Sequence, residues 1–203
     1  MDVAQKPEGL RERRRREVRY RILNAARVLL AERDVDSVRA DEIAEKAQIS
    51  RATFFNYYPS KADLLTDLGG TIANQLEAIA KEALENYESL SKALRHVFLD
   101  GARRIRKDEQ LARQLIDHLT RTTSDTDERR RLLDRAHCAY RSVFEKAQDR
   151  GELRPSSDLD FLSELATSTV NGFLVNWFND SEYPLEQRLE AAVEAILAAS
   201  LAE

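Results

Sequence analysis

Five consecutive residues, Phe54-Phe55-Asn56-Tyr57-Tyr58, set four rings around one amide, with Arg51 three positions before them and Lys61 three positions after. An arginine guanidinium pairs with guanine O6 and N7 or with a phosphate, and an asparagine amide matches an adenine edge. A lysine ammonium neutralises phosphate charge. Rings alone suit a core and cations alone suit solvent. Together they suit a short helix with one buried and one contacting side. On a helix over 51–57, Phe54 and Tyr58 point inward, while Arg51, Ala52, Phe55 and Asn56 lie on the outer side, where a major groove would run. Tyr57 and Lys61 fall toward the ends, where phosphates pass, and Thr53 is placed to brace a phosphate. Each of these has a plainer alternative as an ordinary solvated or packed side chain.

The flanking sequence supplies the elements that hold such a helix. Leu10 to Arg33 places Val18, Ile22, Ala25, Ala26, Leu29 and Leu30 at helical spacing. Its first half is arginine-rich, and Arg13 to Arg16 read either as a solvated arm or as cations that track the DNA backbone or enter the minor groove. A second helix spans 40–47, with Arg39 at its start and Asp41 and Glu42 in its first turn. Ser50 is an N-cap for the third helix. Pro59 stops that helix, and Ser60 caps a fourth beginning at Lys61. Two short helices joined by a three-residue turn form a helix-turn-helix. Ile43, Ala44, Ala47, Ile49 and Phe54 can share one small core with Leu29 and Leu64.

The words "ILNAARVLLAE", "IAEKAQIS" and "TFFNYYPSKADLL" within 21–65 resemble the N-terminal DNA-binding domain of the TetR (tetracycline repressor) family of bacterial transcription regulators. The resemblance covers about 45 residues; the remainder is similar only in its helix count. The family's usual glycines are replaced by Asp34 and Gln48, both at sites that favour left-handed backbone. Its usual tyrosine is Phe55 and its usual histidine Tyr57. The resemblance implies a cytoplasmic, homodimeric regulator of a palindromic operator in double-stranded DNA, most simply a repressor released by a small apolar or amphipathic effector. A small-molecule-binding protein with a degenerate helix-turn-helix is the alternative.

Composition agrees with such a division. The chain of 203 residues is 42% apolar with only six Gly and four Pro, which favours an all-α fold of about nine helices. Residues 1–61 hold 14 Lys and Arg against 10 Asp and Glu, a balance of +4; the rest holds 18 against 26, a balance of −8. A basic head on an acidic body suits a protein that meets a polyanion at one end. Residues 1–9 read as a disordered arm, 10–65 as the helix-turn-helix domain and 66–203 as the ligand-binding and dimerisation domain. The helices of that last part are expected near 61–85, 90–107, 109–121, 126–150, 158–179 and 185–201.

Within that body, Phe98, His118, His137, Tyr140, Phe144, Phe173 and Trp177 are candidates for a pocket, with core packing as the plainer reading of each. Val170, Gly172, Leu174, Phe178, Leu189, Val193, Ile196 and Leu197 lie on two final helices that look too apolar for one wet surface. They are expected to pair with a second copy in a four-helix bundle. The helix from Lys61 belongs to both parts and is the expected lever between them, near Leu76 and Ile79. Three His and one Cys show no metal-ligand spacing. No phosphate loop, nucleophile elbow or paired-carboxylate constellation points to an enzyme or a cofactor. No long apolar run points to a membrane, and a lone Cys138 fits a reducing compartment.

Overall fold

A computed structural model describes residues 9–121 and 126–201. The expected arm at 1–9 lies outside them apart from Gly9. Nine helices occur among the described residues: α1 (Leu10–Glu32), α2 (Ala40–Lys46), α3 (Arg51–Tyr57), α4 (Lys61–Asn86), α5 (Leu90–Lys107), α6 (Glu109–Arg121), α7 (Thr126–Asp149), α8 (Leu159–Asn179) and α9 (Leu185–Ser200). The predicted punctuation holds. Ser50 Oγ accepts from the Thr53 amide at 3.1 Å to cap α3, and Ser60 with Asp63 forms a reciprocal box at the start of α4. Gly151, at φ 73°, follows the end of α7.

The two glycine replacements behave differently. Gln48 takes the left-handed conformation, φ 56°. There it closes α2 as a Schellman turn: the Gln48 amide bonds Glu45 O at 2.9 Å and the Ile49 amide bonds Ala44 O at 3.0 Å. A non-glycine residue in that conformation costs on the order of 1 kcal/mol. Asp34 does not adopt it. Its carbonyl instead accepts from the Ser37 amide at 2.9 Å and the Ser37 hydroxyl at 2.7 Å, an ordinary turn.

There are two hydrophobic cores. The head core joins Ile22, Ala26 and Leu30 of α1 with Ile43, Phe54, Leu64 and Leu68. It also takes Leu111 and Leu115 from α6, although these lie more than 40 residues beyond the expected boundary at 65. The body core gathers α4, α5, α7, α8 and α9, and takes Ala112 from the other side of α6. So α6 is a shared wall. Gln114, on the same helix, clamps the end of α1: its Oε1 accepts from the Val35 amide at 2.5 Å, and its Nε2 donates to Leu30 O at 2.8 Å. Arg27 Nε reaches Asp108, just before α6, at 2.9 Å.

The expected intersubunit seam needs correction. Leu174, Phe178, Leu189, Val193, Ile196 and Leu197 are buried within the protomer, in the body core. The reason is geometric: α9 lays its apolar stripe on α5, and α8 packs on α7, so neither stripe is left over for a partner. Only Val170 and Gly172 of that set retain exposure, and an added Cβ at Gly172 would meet nothing within 4 Å. The outer surface of α8 and α9 carries a different set. Leu165, Thr169 and Phe173 face Ala191 and Ala195 across a shallow groove, and Phe161 is 57% exposed nearby.

Replacing Gln114 by Ala leaves a part-buried amide and carbonyl without their partner, and is expected to lower stability by about 1–3 kcal/mol. Urea denaturation checks this; a midpoint equal to wild type would mean that the clamp contributes nothing.

Candidate nucleic-acid interface and internal cavity

The α3 helix presents the predicted split. Phe54 is fully buried and Tyr58 nearly so, while Arg51, Ala52, Phe55 and Asn56 are exposed and Thr53 and Tyr57 are half-buried. Phe54 meets Phe55 edge-on at 5.4 Å, so the buried ring sets the exposed one. The Arg51 guanidinium lies 5.5 Å from the centre of the Phe55 ring.

Several polar contacts fix α3 against its neighbours. Tyr58 donates its hydroxyl to Asp67 of α4, and Arg19 of α1 holds the same carboxylate, with Nε at 2.7 Å. Burial and then the Asp67 carboxylate push the Tyr58 phenol well above its ordinary range, so it stays a donor. Arg33 pairs with Glu42, and this ion pair holds the Glu42 carboxyl below its ordinary value. Both are half-buried at the surface, and pairs open to solvent contribute modestly.

Asp41, expected only as a first-turn acid of α2, has a second role. It lies 3.2 Å from Arg51 and 3.3 Å from Arg39, which brings both expected contact arginines to one acid. Arg39 and Arg51 remain 75% and 68% exposed. Lys61 is placed less freely than expected. Its Nζ donates to the Val35 carbonyl at 2.8 Å and the residue is half-buried, so one of its N–H groups ties α4 to the loop after α1. The Thr53 hydroxyl is engaged with Ser50 Oγ at 2.8 Å.

The arginine run on α1 is helical from Leu10 onward. Arg11, Arg14 and Arg15 line one concave surface with Asn56 and Tyr57, so the basic end of α1 and the end of α3 face the same space. A cationic concavity beside an exposed Arg, Phe and Asn can take a phosphate strand with base edges next to it.

A second hollow lies in the body. A cavity of about 310 Å³ lies among α4, α5, α6, α7 and α8 and opens to the surface beside Leu133 and Val175. Ile72, Leu76 and Ile79 line it from α4, Phe98 and Ile105 from α5, Ile116 from α6, Tyr140 from α7 and Leu174 from α8. Of the seven predicted pocket residues it takes in only Phe98 and Tyr140. Phe144 is fully buried in the core behind them, and Trp177 packs on Phe178 with Arg106 6.0 Å from its ring centre. Phe173 lies in the outer groove with Tyr183. His137 is half-buried on α7 away from the cavity lining. His118 turns instead to the head, with Nε2 3.2 Å from Thr66 Oγ1, and burial pushes its pKa below the ordinary value. These corrections share one cause: ring and polar residues recur at helical spacing on every face, and spacing alone does not choose the face. Leu76 and Ile79, the expected lever positions, do line the cavity.

A short helix that follows α2 after a tight turn and shares one core with α1, α2 and α4 defines a helix-turn-helix. Residues 22–68 match the family model of bacterial regulatory proteins, tetR family. Residues 22–68 thus resemble the DNA-binding part of that family, and the whole chain shares the fold of solved TetR-family structures. The HTH-type transcriptional regulator EthR of Mycobacterium tuberculosis is 37% identical over 65 residues, which is 32% of this chain and 30% of that protein. The chain thus matches less than a third of that relative's length. Among solved structures, Thermus thermophilus FadR, a TetR family repressor in complex with lauroyl-CoA, superposes with a TM-score of 0.74 at 24% identity, covering 91% of this chain and 96% of that one. FadR from Bacillus subtilis in complex with stearoyl-CoA gives 0.73 at 19% identity, covering 88% and 97%. Among the described residues, no helix is long and apolar enough to cross a membrane.

Two substitutions separate reading from charge at this surface. Arg51→Ala is expected to weaken binding to a specific duplex by about 1–3 kcal/mol. Asp41→Asn, which frees both arginines, is expected to tighten binding to all duplexes and to steepen the salt dependence. Fluorescence anisotropy over a salt series measures both; a tighter Arg51→Ala complex, or a weaker Asp41→Asn one, would contradict the assignment.

Proposed function

We propose that the chain is a cytoplasmic, homodimeric transcription repressor that binds a palindromic operator through α3 and leaves it when a small molecule fills the body cavity. The observation that carries this reading is the pairing of an exposed Arg51–Phe55–Asn56 surface with a cavity whose walls, α4 and α6, also enter the head core. Arg39, Ala52, Thr53 and Tyr57 complete the proposed DNA surface, and the basic end of α1 extends it along the backbone. Lys61 serves chiefly to fix the start of α4. Nothing in this surface performs bond chemistry, so the reading is of a binding protein and not of an enzyme.

The ligand half of the proposal draws support from size and from the relatives. A volume of about 310 Å³ is at the lower end of small-molecule sites. Two fold relatives, one named a TetR family transcriptional repressor and the other a transcriptional regulator, were solved with acyl-CoA molecules. A ligand acts only if it prefers the arrangement that does not fit DNA. The α4 residues Leu76 and Ile79 and the α6 residue Ile116 touch the cavity, while Leu64, Leu68, Leu111 and Leu115 of the same helices lie under α1 to α3. Repacking at one end therefore shifts the platform at the other.

The dimer half rests on the outer surface of α8 and α9. Leu165, Thr169, Gly172 and Phe173 with Ala191 and Ala195 form an apolar, small-residue strip that a second copy can cover about a two-fold axis. Such a dimer sets two α3 helices about one turn of DNA apart, roughly 34 Å.

Footprinting on the DNA upstream of the gene is expected to protect a palindrome with half-sites one turn apart; protection of no site at any salt would overturn the proposal. Gly172→Leu is expected to give a folded monomer, because the protomer has open space there. Sedimentation velocity checks this, and a Gly172→Leu protein that still sediments as the wild-type dimer places the interface elsewhere.

A further inference from the structure

We infer that the cavity takes an uncharged ligand of roughly ten non-hydrogen atoms, an apolar body carrying one hydrogen-bond-accepting oxygen that receives the Tyr140 hydroxyl. The inference rests on the ligand-responsive reading above and adds the class of ligand.

Tyr140 is 3% exposed and lines the cavity. Its ring packs edge-on against Phe98, 5.6 Å away between centres at 78°. Among the described residues its hydroxyl has no hydrogen-bond partner. A hydroxyl on a cavity wall that no protein group accepts from is free to donate to an acceptor that enters the cavity. Burial alone keeps the phenol above its ordinary pKa, so it is a neutral donor. Of the other polar residues of the lining, Gln75 and Asn171 are exposed at its rim, Arg104 is half-buried, and the Thr167 hydroxyl donates to Ser163 O at 2.8 Å; the rest of the wall is hydrocarbon.

Charge narrows the class further. The one charged residue of the lining is Arg104. Its guanidinium is held by Asp100 at 2.8 Å and faces Glu82 at 3.3 Å, so it carries no uncompensated charge into the cavity. An anionic head buried here would lack a partner, and an unpaired buried carboxylate is strongly disfavoured. Size follows from volume. At about 30 Å³ for each water-sized group, 310 Å³ holds roughly ten such groups.

Three probes of one body and different heads test this: propylbenzene, 3-phenyl-1-propanol and 3-phenylpropanoate, each titrated calorimetrically at neutral pH into the full-length protein. Gly101→Leu, whose side chain would enter open space in the cavity lining, serves as the filled control. The expected order in wild type is the alcohol first and the carboxylate at least about 10-fold weaker. Tyr140→Phe is expected to weaken the alcohol by roughly 3- to 10-fold and to leave propylbenzene unchanged. Gly101→Leu is expected to bind none of them. The inference is overturned if the carboxylate binds as tightly as the alcohol, if Tyr140→Phe leaves the alcohol unchanged or weakens propylbenzene equally, or if wild type binds none of the three. Operator release is scored separately by anisotropy. Binding of the alcohol as described without any effect on DNA would sink the ligand-released repressor reading and leave the cavity chemistry standing.

Discussion

The constraint on which the rest of the structure depends is the double membership of α6. Leu111 and Leu115 sit one turn apart and finish the head core, while Ala112 and Ile116, each one residue further round, face the body. A head of this size buries little surface by itself, and small domains gain their stability with difficulty. The two leucines are fully or nearly fully buried there, and each contributes on the order of 1.5–3 kcal/mol by burial. The Gln114 side chain then satisfies backbone groups at the end of α1 that the helix itself cannot reach. The head is therefore anchored on the body by apolar area and by directed hydrogen bonds at one place.

Polar contacts decide how the recognition helix is presented on that anchor. Tyr58, Asp67 and Arg19 lock the end of α3 to α4 and α1, and Lys61 locks the start of α4 to the loop at Val35. Arg39, Asp41 and Arg51 form a more open group on the outer surface. A carboxylate between two exposed arginines lowers the attraction for any polyanion and leaves the geometry of Arg51 better defined. On the proposed DNA surface such a residue would trade affinity for discrimination, since binding to phosphate is indifferent to sequence and base contacts are not.

How much of this was legible in the sequence varied with the kind of signal. Capping residues and prolines gave the ends of α3 and α4 because they act on their own backbone: Ser50, Pro59 and Ser60 need no distant partner. The split of Phe54 and Phe55 between core and surface followed from helical spacing within seven residues. The α8 and α9 stripes were legible as apolar but not as to what they meet, since Leu189, Val193 and Ile196 look the same against α5 as against a second copy. His118 illustrates the same limit, a half-buried ring that meets Thr66 and lies outside the cavity lining. The clamp by Gln114 was invisible, because a glutamine in a helix carries no mark of the carbonyls it will find some 80 residues earlier. Gln48 shows the reverse case: the glycine that the turn favours is missing, yet the Schellman hydrogen bonds hold the turn in place.

The central claim is that α6, together with α4, carries cavity occupancy to the recognition helix. The most direct test is the coupling between ligand and operator in a Gln114→Ala protein, measured as the operator affinity with and without saturating ligand beside the same pair for wild type. Allosteric couplings of about 1–3 kcal/mol correspond to roughly 5- to 150-fold changes in affinity. The account predicts such a change in wild type and its collapse toward unity in Gln114→Ala, with ligand affinity itself retained. A coupling in Gln114→Ala equal to that of wild type would contradict it.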